Sequence, residues 1–258
     1  MGGAIAFLLA AMLAAAWAIF SPANSHDAES SLGVENKSQL GLMTSLPIYW
    51  GESDPFANLG AETAEVPWVR ATLERQFNIL PLDALSDANG QPIPLKGLAA
   101  LAIIQPRGLS PADNVALDLW VRGGGRLYYA IDPMLTGRYD FSLGDPRHPI
   151  VTALVPPVLA RWGLALEYDQ GQAVGPRLIE WGELPLPVLS AGTLVEAAQS
   201  DPQVAGDCEI VADGVIAHCS VGEGRVTIMA DAALFEPREG NETAETALTI
   251  LFQKSLSK

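Results

Sequence analysis

The chain has 258 residues, 49% hydrophobic and 17% charged, a composition that supports a packed core and excludes a disordered polypeptide. Its net charge of −15 repels phosphate backbones and anionic headgroups, which argues against a nucleic-acid partner.

Gly2–Phe20 carries no charged or strongly polar side chain. As a helix rising about 1.5 Å per residue, it just crosses a hydrocarbon core of about 30 Å. Ala23 and Ser25 follow in the small-x-small arrangement that signal peptidase accepts. Two readings stand side by side: a cleaved signal peptide, or an uncleaved anchor joining the protein to a membrane through residues 2–20. Either one exports the remainder to the periplasm, free or anchored to the inner membrane and facing it. Residues 26–45, rich in Ser, Asn and Glu, read as a linker, and 46–258 as a single α/β domain.

Within that domain Leu46–Trp50 reads as the first strand. Glu65–Gln76 suits a helix, Phe77–Leu82 a strand and Asp87–Gly90 a turn. Leu98–Gln105 is a nearly unbroken apolar run, as expected of a strand covered on both faces. Ser110-Pro111-Ala112-Asp113 supplies an N-cap, a proline at the first helical position and an acid in the first turn. Gly123-Gly124-Gly125 ends that helix, and Arg126–Ile131 returns as a strand stopping at Asp132. This βαβ unit implies a parallel pair.

Pro149–Gly163 has a helical pattern interrupted at Pro156-Pro157. Leu164–Tyr168 suits a strand, whereas 170–206, rich in Gly and Pro, resists assignment. Cys208 and Cys219 flank Asp213-Gly214, a turn pair tolerant of positive φ, so that 208 lies opposite 219 in a hairpin. A disulfide is within reach there, although a two-residue turn would put the pair at a hydrogen-bonded site, where Cα atoms lie farther apart. Such a bond favours an oxidising compartment. Gly222-Glu223-Gly224 leads into a strand over Arg225–Ala230, and Glu242–Leu256 closes as an amphipathic helix. The alternation predicts a three-layer α/β sandwich with a mostly parallel sheet and the hairpin added at one edge.

In such sheets ligands sit beyond the carboxyl ends of the strands. Asp132, Asp231 and Gln105-Pro106-Arg107 should gather there, and His148 opens the helical stretch nearby; Arg107, Asp132, His148 and Asp231 are the candidate ligand-binding residues. Paired carboxylates would hold a metal or act as acid and base, while capping of the following turns is the plainer role for each. His26 and His218 have no evident partner, and the scattered His and hairpin Cys residues make no zinc site, so neither metal nor cofactor is expected. No G-x-S-x-G, G-x-G-x-x-G or Walker A sequence occurs.

Three stretches carry a resemblance: Leu101–Asp132, Arg147-His148-Pro149-Ile150, and Gly222–Phe235. Together, over about residues 95–255, they resemble the extracytoplasmic domains of gliding-motility-type auxiliary components of ABC transport systems. They are also similar to related bacterial domains with a class I glutamine-amidotransferase-like fold. The resemblance implies a flavodoxin-like sandwich outside a membrane, serving a transporter or envelope protein without catalysis of its own. True amidotransferases place a nucleophilic Cys at a sharp strand-to-helix turn. The comparable turn here is Ile131-Asp132-Pro133-Met134, which has no thiol.

Overall fold

The computed structural model describes residues 37–51, 66–173, 175–198, 205–237 and 240–257. The leader, residues 2–20, and the first part of the expected linker lie outside them. Among the described residues no helix is long and apolar enough to cross a membrane.

The strands are β1 (Ser38–Thr44), β2 (Phe77–Pro81), β3 (Ala100–Ile104), β4 (Arg126–Ala130), β5 (Leu164–Glu167), β6 (Pro176–Trp181), β7 (Leu184–Leu189), β8 (Thr193–Glu196), β9 (Asp207–Val211), β10 (Ile216–Val221) and β11 (Gly224–Met229). The helices are α1 (Trp68–Glu74), α2 (Pro111–Arg122), α3 (Pro157–Arg161) and α4 (Glu242–Leu256). Seven strands form the central sheet in the order β2-β1-β3-β4-β11-β10-β9. The first five are mutually parallel, and β10 and β9 continue the sheet antiparallel. The mixed α/β class, the mostly parallel sheet and the antiparallel addition at one edge agree with the pattern of the sequence.

Side-chain alternation along the buried strands divides the core in two. Tyr128 and Ala130 of β4 join Leu40, Leu42 and Ala102 beneath α1, α4 and the β6–β7 hairpin. Leu127 and Tyr129 face the other way, with Leu101, Ile103 and Ile228, against α2, α3 and Trp162. Period-two alternation with both faces buried is what makes these strands apolar throughout.

Helix α2 begins as its sequence indicates. Ser110 and Asp113 form a reciprocal capping box, with Pro111 in the first turn. The Asp113 carboxylate also accepts from Leu85 N and Ser86 N, both at 2.9 Å, and so ties the helix start to the preceding loop. At the other end Gly124 takes φ +103°, and α2 packs so closely on β11 that a Cβ at Gly224 would clash with the Val121 carbonyl. The glycine of that turn is therefore fixed by helix–strand contact.

Four expectations need correction. The first strand is Ser38–Thr44, inside the expected linker, and it lies between β2 and β3. Only its Ser38 and Gln39 are exposed, so the polar start masked an apolar interior. Leu46–Trp50 forms a turn instead, with Gly51 N bonded to Pro47 O at 3.2 Å, and buries Leu46 and Ile48 without a strand. Helix formation in 149–163 is confined to Pro157–Arg161, because two adjacent prolines deny the preceding residues helical bonding. Residues 176–196 hold three strands, β6 and β7 as a hairpin and β8 paired with β5, despite their prolines.

The hairpin register is as read: Cys208 pairs with Cys219 and the two are disulfide-bonded. The turn, however, spans Ala212–Val215, with Ala212, Asp213 and Gly214 all at positive φ. Two extra turn residues reverse the parity of the ladder. The cysteines accordingly occupy a close-approach site with Cα atoms 4.0 Å apart, nearer the spacing of non-hydrogen-bonded pairs.

Candidate functional site

The parallel register aligns Thr44, Ile104, Ala130 and Met229 across four strands, so the residues that follow emerge at one edge. Asp132 and Asp231 meet there, and Glu236 joins them from the short helical turn after β11; all three are buried. Each Asp is consumed by backbone donors. Asp132 accepts from Met134 N at 2.7 Å and Ala232 N at 2.9 Å, while Asp231 accepts from Leu189 N and Ala233 N, both at 2.8 Å. Glu236 Oε1 accepts from Thr136 N and Gly137 N at 2.8 Å. These carboxylates cap turns and stitch three loops together, with no cation among their bonded partners in the described residues.

Their proximity has an electrostatic consequence. Burial pushes the Asp132 carboxyl up to about 6, with the Glu236 charge adding to the effect. Burial, then the charges of Asp132 and Glu236, hold Asp231 well above the usual carboxylate range. Four backbone N–H bonds oppose the rise without overcoming it. Among the described residues, no three His, Cys, Asp or Glu are arranged to hold a metal ion.

Strand order reverses between β1 and β3, the crevice where open α/β sheets commonly bind ligands. Here the chain fills it. Ser45 Oγ donates to Gln105 O at 2.6 Å and accepts from Ile150 N at 3.2 Å. Gln105, at φ +42°, donates from Nε2 to Ile150 O at 2.9 Å and to Asp132 O at 3.0 Å. The 148–151 segment is thereby clamped across the strand ends. A polar crevice of about 130 Å³ remains beside it, lined in part by Thr44, Asp83, Arg107 and Asp113.

Arg107 and His148 do come together, but through the backbone. Arg107 Nη2 donates to His148 O at 2.9 Å, and the His148 ring packs edge-on to Tyr139 with Nδ1 2.9 Å from Pro149 O. The four candidates thus form two groups. Asp132 with Asp231 is one and Arg107 with His148 the other, bridged by Gln105.

Two further surfaces stand away from this edge. Along α2, Val115 and Leu119 are each 58% exposed, and Leu119 borders two apolar grooves. One, of about 600 Å³, is lined by Ile93, Leu98 and Trp120 among others; the other, of about 480 Å³, by Pro157 and Val158. On the opposite face of the sheet, a polar cleft of about 340 Å³ lies between the β9–β11 extension and the end of α4. His218, which had no evident partner in the sequence, stacks on Trp181 there and has Nδ1 3.2 Å from Thr227 Oγ1.

No protein-family model matches the chain, and no curated protein matches it. Similar solved structures include the mmIFT52 N-terminal domain, at 12% identity and TM-score 0.47, covering 86% of this chain and 98% of that one. The β-galactosidase of Rahnella sp. R3 is 10% identical with TM-score 0.45, covering 84% of this chain and 31% of its own. The exo-β-1,4-mannosidase Op5Man5 of an Opitutaceae bacterium, strain TAV5, is 13% identical with TM-score 0.41, covering 85% and 34%. The chain spans about a third of the length of these two glycosidases. At such identity and superposition none of them lends the chain an activity.

The sequence placed Asp132 and Asp231 at strand ends with capping as the plainer role, and their bonds from Met134 N and Ala233 N are such caps; the long-range donors Ala232 N and Leu189 N left no mark in it. Glu236 and Ser45 escaped notice because nothing local marks them; each acts on backbone about a hundred residues away. Val115 and Leu119 share a helical spacing that reads as the apolar side of α2, but both are exposed and the helix buries Ala116, Leu117 and Val121 instead.

Proposed function

We propose that the chain is a non-catalytic extracytoplasmic domain, an auxiliary or interaction component of a transport or cell-envelope complex. The observation that carries this reading is the sealed crevice at the strand-order reversal. Ser45, Gln105 and Ile150 occupy it, and both strand-end aspartates spend their oxygens on backbone N–H groups. A catalytic acid or base must face substrate, and these carboxylates are buried behind the loops they cap. The order of the five parallel strands, β2-β1-β3-β4-β11, is that of flavodoxin-like sheets and supports the three-layer sandwich that the family resemblance implies. The Cys208–Cys219 bond favours an oxidising compartment, in keeping with an exported domain. Affinity capture with the full chain from solubilised membranes tests the role. Recovery of a permease or envelope protein is expected, and capture of neither would count against it.

A second reading, a small-molecule receptor, is favoured by the polar cleft. Arg225, Lys254, Asp207 and Glu209 line it together with Ser255, whose buried hydroxyl has no hydrogen-bond partner among the described residues. Calorimetry with small zwitterionic solutes separates the two: saturable heat abolished by Arg225→Ala supports the receptor, and no heat removes it.

A further inference from the structure

We infer that the exposed side of α2 is a docking surface for an amphipathic helix of a partner protein, apolar on the seated face and acidic along its flanks. The inference deepens the interaction role proposed above and rests on it.

The surface is made by residues that a solvated helix would not carry. Val115 and Leu119 lie one turn apart on α2, and Ile93, at 58% exposure, stands across one groove from Leu119. Just before α3, Leu154 and Val155 are 52% and 45% exposed, and Leu154 lies against Gly108 at the approach to α2. Single exposed apolar residues are ordinary, but Ile93, Val115 and Leu119 all line concave grooves, which marks an interaction site.

Shape and charge together select the occupant. Two troughs that share Leu119, the second also lined by Val115 one turn earlier, suit the i, i+4 side chains of a helix, whereas a bilayer presents no ridges to fill them. The ionised side chains lining the grooves are Lys96, Asp118 and Arg161. Asp118 is already held by Arg122 at 3.0 Å and Arg161 at 2.8 Å, so the local balance is basic on a chain of net charge −15. A basic rim on an acidic protein steers an acidic partner and disfavours a second copy of the same chain.

The test uses the full chain with three probes: in detergent, a helical peptide with leucines on one face and glutamate flanks, and the same peptide with lysine flanks; and, after detergent removal, phosphatidylglycerol vesicles. Affinity is measured by titration and the contact mapped by hydrogen exchange. The glutamate peptide should protect residues 93–98 and 114–122, and bind about tenfold more weakly to Leu119→Glu or Ile93→Glu. Lys96→Glu should weaken it in low salt. Leu178→Glu, a change at an exposed leucine of β6 on the other face, should leave it unaltered. Equal binding by Leu119→Glu, tighter binding of the lysine peptide, or protection of these segments by vesicles alone would each overturn the inference. So would deprotection of the same segments on deleting residues 2–20, which would make the leader the occupant. If membrane capture succeeds but ignores Leu119→Glu, the interaction role survives and the groove fails; if capture recovers no envelope or transport protein, the role itself fails whatever the peptide does.

Discussion

Gln105 and Asp132 form a two-way pair across neighbouring strand ends, with Asp132 N donating to Gln105 Oε1 at 2.8 Å and Gln105 Nε2 returning a bond to Asp132 O at 3.0 Å. The side chain thus imitates the next rung of the parallel ladder after the strands themselves have ended. Its other amide hydrogen reaches Ile150 O, which makes one residue responsible for both the edge of the sheet and the plug over it.

Gln105→Ala should therefore leave Asp132 N and O and Ile150 O without these partners in a buried setting. The expected loss is about 2–3 kcal/mol, since each orphaned buried polar group costs about 1–3 kcal/mol and part is recovered by water. Gln105→Glu is the sharper variant. It keeps an acceptor for Asp132 N but cannot donate, and it brings a fourth carboxylate toward three buried ones. Chemical denaturation should find it at least as destabilising as Ala; a Glu variant as stable as wild type would show that the plug does not depend on the donated bonds.

The disulfide closes β9 onto β10 at the end of the sheet, across a sequence separation of 11. A loop of that size constrains the unfolded chain by about 2–3 kcal/mol. Cys208→Ser with Cys219→Ser should lower stability by that order while hydrogen exchange in β4 stays slow, because the edge unfolds locally before the centre does. Equal acceleration in β4 and β9 would instead make the bond a support of the whole sheet.

What the sequence revealed and what it hid divide along the range of the interactions. Helix α2 was legible because its cap and proline adjoin at one end and three glycines mark the other, each signal local to its own terminus. The disulfide was legible because the hairpin brings its partners together locally. The first strand was not: its decisive contacts are with Phe77–Pro81 and Ala100–Ile104, distant in the chain, and its polar start resembled the preceding linker. At the strand ends, composition marked Asp132 and Asp231 but gave no measure of how their four oxygens are shared out. That partition depends on loops at 134, 189 and 232–233 converging from separate parts of the fold.

Asp118 supplies a further test, lying at the junction of α2 with α3. It accepts from Arg122, from Arg161 and from Trp162 Nε1 at 2.8 Å. Burial alone would raise this carboxyl, but the bonds from Arg122, Trp162 and Arg161 together outweigh it and leave it below the usual range. Asp118→Ala leaves the fully buried Trp162 indole N–H without an acceptor, at a cost of about 2–3 kcal/mol. Asp118→Asn retains one acceptor and should recover about half. Intact stability in the Ala variant would mean that water reaches the indole.

The acids at the strand ends should give the protein an unusual pH profile. Asp132 titrates near 6 in the folded state, against 3.8 for an unperturbed aspartate. Between those values the folded protein holds the extra proton, so stability falls as pH rises from about 4 to about 6. The span corresponds to about 2–3 kcal/mol. Asp231, raised in the same direction by burial and by Asp132 itself, extends the decline upward. Asp118 acts oppositely: its contribution is present above the unfolded pKa and is lost only as pH falls below about 4. Maximum stability is therefore expected at mildly acidic pH. Asp132→Asn tests the assignment through the slope, not the level, because the amide also replaces one carboxylate oxygen that accepts a backbone N–H. Denaturation midpoints measured at pH 4.5, 5.5, 6.5 and 7.5 should decline in the wild type and flatten in the variant. Parallel lines for the two proteins would show that Asp132 stays ionised in the folded protein throughout this range, and that its bonds from Met134 and Ala232 settle its charge more firmly than burial does.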